Sequence, residues 1–122
     1  MSLYALIKSN GPSGFGYRST AEDVTASLSL AGKRILVTGC NSGLGFETMR
    51  VLALRGAHVV GTARTAGKAR DATLGIQGSA EGMACELSDP ASIRACVAAL
   101  KTDGAPLDAV ICNAGIMALP KL

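Results

Sequence analysis

Apolar residues along this chain fall into short strand-like runs that alternate with longer stretches of helical spacing. Ile35-Leu36-Val37 is continuously apolar and β-branched at its first and third positions, which predicts a strand covered on both faces. From Phe46 to Arg55 the apolar residues go almost all round, as in a helix packed on a sheet, and Gly56 marks its stop. His58 to Ala63 reads as a second strand, and Thr65 to Leu74 as a short helix. Gly75 to Gly82 reads as loop, and Met83-Ala84-Cys85 as a short third strand. Asp89-Pro90 supplies an N-cap followed by proline at the first helical position. Ile93, Cys96, Val97 and Leu100 then recur at helical spacing until Gly104, and Leu107 to Cys112 forms a fourth strand.

Strands alternating with helices predict an α/β fold with a parallel sheet and right-handed crossovers. The doubly wound strand order is 3-2-1-4, with a ligand crevice where the order reverses, between strands 1 and 4. Residues 1–31 form an extension before this unit, and residues 32–122 the unit itself. Within the extension, Asn10 to Gly16 is rich in turn residues, and Ser19 and Glu22 have capping-box spacing. Val24 and Leu28 lie four apart, which extends the predicted short helix to about Leu28. Strand 4 is expected at an open edge, with the third helix of the unit alone on the second sheet face.

The chemistry begins at Thr38-Gly39-Cys40-Asn41-Ser42-Gly43-Leu44-Gly45, between the first strand and its helix. Glycines there allow positive φ in a tight turn and let a phosphate approach a backbone without Cβ atoms. The following helix points free N–H groups and its positive dipole end at the turn, so an anionic pyrophosphate suits the place. Cofactor choice follows from charge at the tip of strand 2, where an acid binds a ribose 2′-hydroxyl and an arginine accommodates a 2′-phosphate. The tip reads Ala63-Arg64, with Lys68 one helical turn on as a second charge, and predicts NADP(H) over NAD(H).

Composition removes several alternatives. Apolar residues make up 48% and charged ones 17%, a globular rather than disordered balance. A net charge of +3, no Trp, two Phe and two Tyr give neither a basic patch nor stacking platforms for nucleic acid. Cys40, Cys85, Cys96 and Cys112 are widely spaced without a C-x-x-C pair, and His58 is the only histidine, so no metal site is expected. The cysteines read as reduced thiols of a cytoplasmic protein. His58, at the start of strand 2, reads as a solvated or packed residue. Met1 to Ile7 lacks a basic leader pattern, and no apolar stretch approaches the ~20 residues of a membrane span.

The pattern Thr38-Gly39-x-x-x-Gly43-x-Gly45, with Cys112-Asn113-Ala114-Gly115 and the order of elements, resembles the short-chain dehydrogenase/reductase family. Ser19 to Val24, Arg50 to Gly56 and Asn113 to Met117 resemble its branch of retinol-dehydrogenase-like and chloroplast-translocon-associated members. The resemblance implies a Rossmann-type domain and hydride transfer between nicotinamide and a carbonyl or alcohol. It implies that the turn Gly39 to Gly45 holds the pyrophosphate and adenosine ribose, through Asn41, Ser42 and the Leu44 backbone. The family's Asp-Leu after strand 3, whose acid meets the adenine amine, stands here as Glu86-Leu87. Its Asn-Asn-Ala-Gly stands as Cys112 followed by Asn113, Ala114 and Gly115, with Asn113 holding strand 4 against the cofactor.

The family's catalytic Ser, Tyr-x-x-x-Lys and Asn follow strand 4, beyond Leu122, so no catalytic residue is assigned here. The chain then reads as the cofactor-binding half of a longer NADP-dependent oxidoreductase, inactive alone, with a small-molecule substrate. Homo-oligomer formation stays open. The alternatives are a non-catalytic dinucleotide-binding or redox-sensing module, or a nonfunctional fragment.

Overall fold

The structure is a computed structural model that describes residue 3 and residues 7–116. Met117 and most of the stretch Met1 to Ile7, both read above from sequence, lie outside the described residues. In chain order the elements are helix α1 (Ala21–Thr25), strand β1 (Arg34–Thr38), helix α2 (Gly43–Leu54), β2 (His58–Ala63), α3 (Ala66–Thr73), β3 (Ser79–Ala84), α4 (Pro90–Thr102) and β4 (Ala109–Ile111). The strands form one four-stranded sheet in the order β3-β2-β1-β4, the expected doubly wound order, and every pair is parallel.

β1 is central. It pairs with β2 from Arg34↔His58 to Thr38↔Thr62, and with β4 from Ile35↔Ala109 to Val37↔Ile111. Ile35 and Val37 face the main core with Met49 and Ala53 of α2, Val59 of β2 and Ala72 of α3. Leu36 and Val110, level in the β1–β4 ladder, lie on the other face and line an apolar groove with Val97 and Leu100 of α4. Val110 is 53% exposed and Val97 42%, so that face is only partly covered among the described residues.

β3 is longer than its predicted Met83 to Cys85. It starts at Ser79 and pairs residue for residue with β2, from His58↔Ser79 to Ala63↔Ala84. Ser79-Ala80-Glu81-Gly82 has little intrinsic strand preference, and tertiary contact supplies what propensity lacks. At Gly82, a Cβ would sit 2.4 Å from the Ala69 carbonyl carbon and oxygen of α3. Glycine is what lets α3 lie directly on the strand.

The predicted capping box moves by one residue. Thr20, not Ser19, caps α1: its Oγ1 accepts from Asp23 N at 3.2 Å, and Asp23 Oδ2 accepts from Thr20 N at 2.8 Å. Ser19 Oγ instead accepts from Gly16 N, and Glu22 is left to pair with Arg50 of α2. α1 ends at Thr25 rather than near Leu28. Val24 and Leu28 are both exposed, so their spacing found no apolar surface to hold a longer helix.

At the opposite end of the sheet from the strand tips, Arg34 is 7% exposed. Its guanidinium binds the Asp103 carboxylate and donates to Ala105 O at 2.8 Å, fastening the end of α4 to β1. His58 belongs to the same end, with Nδ1 2.6 Å from Ser79 Oγ and Nε2 3.1 Å from Glu81 Oε1.

Candidate functional site

The C-terminal ends of β1, β2, β3 and β4 open onto a crevice of about 840 Å³. Its floor is the turn from Thr38 to Ser42, where Gly39 takes φ +69°; Gly43, the first residue of the helix that follows, takes φ +57°. A Cβ on Gly45 would lie 2.0 Å from the Gly39 carbonyl oxygen and 2.5 Å from Asn113 Nδ2. Glycine at 45 therefore lets α2 start directly against the turn. α2 starts at Gly43, three residues before the predicted Phe46, because these glycines form its first turn. Ser42 is its extended N-cap, and the Ser42 side chain makes no capping hydrogen bond. Gly43 faces open space.

Asn113 joins the two sides of the crevice. Its Nδ2 donates to Thr38 O at 3.0 Å and Gly39 O at 3.3 Å. Thr38 Oγ1 in turn accepts from Asn113 N at 3.1 Å and Ala114 N at 3.0 Å. These bonds turn the chain out of the sheet and end β4 at Ile111, short of the predicted Cys112.

The far wall is Glu86-Leu87-Ser88, after β3. Glu86 Oε1 accepts from Ser88 N at 3.2 Å and Ser88 Oγ at 3.0 Å. These bonds hold the carboxyl below its ordinary range, with a smaller contribution from the Arg64 charge. Both bonds fall on one carboxylate oxygen. Glu86 N donates to Ser92 Oγ at 2.9 Å, which ties the wall to α4. Arg64 lies exposed at the tip of β2 and lines the crevice.

Of the residues singled out in the sequence, Gly39, Asn41, Ser42, Arg64, Glu86, Leu87, Asn113, Ala114 and Gly115 line this crevice together. Gly43, Leu44 and Gly45 form the first turn of α2 beneath it. The Leu44 side chain is 81% exposed, so only its backbone can serve the turn. Lys68 is not among the lining residues. It sits in the first turn of α3, where its N–H donates to Thr65 Oγ1 at 3.3 Å.

Sequence reading passed over Thr62, Ala63, Cys85, Ser88 and Ile116 of the lining. Their positions one or two residues around the strand tips were the available signal. It also passed over one Tyr-x-x-x-Lys spacing, Tyr4 to Lys8, which precedes β1 rather than following β4. Among the described residues no three His, Cys, Asp or Glu side chains gather as a metal site, and no helix is long and apolar enough to cross a membrane. All four cysteines are free thiols.

Comparison with known proteins agrees with this geometry. The family model for short chain dehydrogenase matches residues 33–122. The chain is 36% identical over 126 residues to the short-chain dehydrogenase TIC 32 B, chloroplastic, of Brassica napus, a match covering 98% of this chain and 39% of the length of that relative. Among solved structures, a metagenomic short-chain oxidoreductase in complex with NADP is 35% identical with a TM-score of 0.65, covering 70% of this chain and 40% of that one. The Pseudomonas aeruginosa RhlG/NADP active-site complex is 34% identical with a TM-score of 0.69, covering 73% and 37%. A family match running from the start of β1 onward, in a sheet wound as that family's fold requires, settles kinship: this chain belongs to the short-chain dehydrogenase/reductase family.

Proposed function

We propose that residues 32–122 hold NADP(H) for an oxidoreductase whose substrate groups lie outside this sequence. The observation that carries the reading is Arg64. It lines the crevice at the tip of β2, where a carboxylate would favour a 2′-hydroxyl. Among the described residues it makes no hydrogen bond, and Glu86 is a charge partner only through its field. The guanidinium is thus available to a 2′-phosphate. Two solved relatives in NADP complexes support this choice.

The other residues suit the rest of a dinucleotide. The uncapped start of α2 offers backbone N–H groups and a positive dipole end to a pyrophosphate, with Asn41, Ser42 and the Leu44 backbone around it. The Glu86 oxygen that receives no bond from Ser88 is the acceptor for an adenine amine, beside Leu87. Asn113, Ala114 and Gly115 form the opposite wall. Asn113 acts through the turn, because its amide is committed to Thr38 and Gly39. When bound, the nicotinamide supplies or accepts the hydride. This chain's residues orient it and keep the β1 and β4 turns in register. A carbonyl or alcohol is the substrate class in the longer protein. A reducing compartment such as the cytoplasm suits the four free thiols.

Calorimetric titration of NADP and NAD into wild type and Arg64→Ala tests the assignment. A charge-assisted contact at an exposed arginine is worth about 1.5 kcal/mol, roughly tenfold in affinity. Wild type should prefer NADP by about that factor, and Arg64→Ala should lose the preference while keeping its NAD affinity. Equal affinities for both nucleotides, unchanged by the substitution, would refute the reading.

A further inference from the structure

We propose that Ser88 is the positioning residue that makes this crevice select a 6-amino purine over a 6-oxo purine. The proposal rests on, and deepens, the reading of the crevice as a dinucleotide site with Glu86 at the adenine amine. Glutamate has three side-chain torsions, so an unheld carboxylate in an open crevice spreads over several rotamers. Glu86 is held at every polar atom but one. Its N–H donates to Ser92 Oγ at 2.9 Å and its carbonyl oxygen accepts from Asp89 N at 3.0 Å, which tie its backbone to the start of α4. Its Oε1 accepts from Ser88 N at 3.2 Å and from Ser88 Oγ at 3.0 Å. Asp89 does not compete for Ser88, because its Oδ1 accepts from Ala91 N at 2.9 Å as the N-cap of α4. Among the described residues Glu86 Oε2 alone is left without a hydrogen bond, in a wall that lines the crevice.

What can meet that oxygen follows from its charge. The two bonds from Ser88 keep the carboxyl below its ordinary range, the backbone one contributing more; the Arg64 charge adds to them, and burial and Asp89 oppose them. Glu86 is therefore a carboxylate at neutral pH, and a carboxylate only accepts. A 6-amino purine brings an N–H to Oε2. A 6-oxo purine brings a second acceptor, which leaves two desolvated oxygens facing each other. The 6-oxo ring carries its proton one atom away, on its neighbouring nitrogen. A mobile carboxylate swings to that proton and tolerates the wrong base, whereas a fixed one does not reach it. Ser88 does the fixing, since two donors converging on Oε1 set the direction of Oε2. It acts only through Glu86, because both donors are spent there.

The test is calorimetric titration of the full chain at pH 7 with NADP and with nicotinamide hypoxanthine dinucleotide phosphate, two probes that differ only in the purine. The readout is the ratio of their affinities, which a merely loosened wall leaves unchanged. Wild type should favour NADP by about tenfold. Ser88→Ala should lower the ratio to about threefold or less, and Ser88→Thr, which keeps the hydroxyl, should retain it. Glu86→Gln should bring it near unity, since an amide can turn either its oxygen or its NH2 to the base. A Ser88→Ala ratio equal to that of wild type, or a Ser88→Thr ratio as low as that of Ser88→Ala, would overturn the proposal. A wild-type ratio near unity overturns the Glu86 contact as well, and a chain that binds neither nucleotide overturns the dinucleotide reading. Expected behaviour of wild type and Glu86→Gln beside an unresponsive Ser88→Ala sinks the role of Ser88 alone.

Discussion

Replacing Asn113 tests the join between the two sides of the crevice. Its Nδ2 supplies two hydrogen bonds, at 3.0 Å to Thr38 O and 3.3 Å to Gly39 O. Each such bond contributes roughly 0.5–1.5 kcal/mol net, with the longer one at the low end. Asn113→Ala should therefore cost about 2 kcal/mol for the pair. Asn113→Asp keeps the shape but turns a carboxylate toward two carbonyl oxygens, so it should cost more, about 3 kcal/mol at pH 7. The introduced carboxyl has its folded pKa raised above the unfolded value of about 4, because no donor faces its charged form. Its protonated form is the better folded one, so the deficit of Asn113→Asp against Asn113→Ala should shrink as pH falls through that raised pKa. Urea unfolding of the three proteins at pH 7 and pH 5 measures both effects. An aspartate variant no worse than alanine at pH 7, or a deficit independent of pH, would refute the clamp.

Glycine substitutions separate two kinds of cost. Gly45→Ala places a Cβ 2.0 Å from the Gly39 carbonyl oxygen and should weaken NADP binding at least tenfold and lower the urea midpoint. Gly43→Ala meets nothing within 4 Å and should cost only the ~1–2 kcal/mol of its φ of +57°. Equal midpoints for the two variants would contradict this reading of the turn. Gly82→Ala drives a Cβ into the Ala69 carbonyl and should cost about 2 kcal/mol by urea unfolding, with an unchanged midpoint as the refuting result. Acid should also destabilise the fold. Asp108 is held low by Arg34 N and Lys33, Asp23 by Thr20, and Glu86 by Ser88. Depressed folded pKa values contribute stability above the unfolded value and lose it as pH falls through the folded one, so the melting temperature should drop below about pH 4. Asp108→Asn should flatten that drop, and an unaltered slope would remove Asp108 from the account.

Legibility in the sequence followed the range of the interactions involved. β1, the glycine turn and the start of α4 are specified within a few residues, by an apolar run, by positive-φ glycines and by Asp89-Pro90. Asp89 does accept from Ala91 N at 2.9 Å at the start of α4. The sheet order followed from the alternation of elements, because crossover handedness leaves few choices. β3 failed the same reading: Ser79-Ala80-Glu81-Gly82 becomes strand only because β2 pairs beside it and α3 lies against Gly82. The α1 error has the same root in reverse, since Val24 and Leu28 had helical spacing but nothing to pack against.

The same division runs through the crevice. Arg64 could be placed from sequence because a strand tip fixes where its Cα must be. Lys68, inside the first turn of α3, is not among the residues that line the crevice. Asn113 was recognisable as a residue of the crevice, but its two acceptors lie at the end of β1 and in the turn after it, 75 and 74 positions earlier, and no local pattern announces them. The glycine turn and the strand-tip cation are thus written locally. The contacts that join the two sides of the crevice exist only once the sheet has assembled.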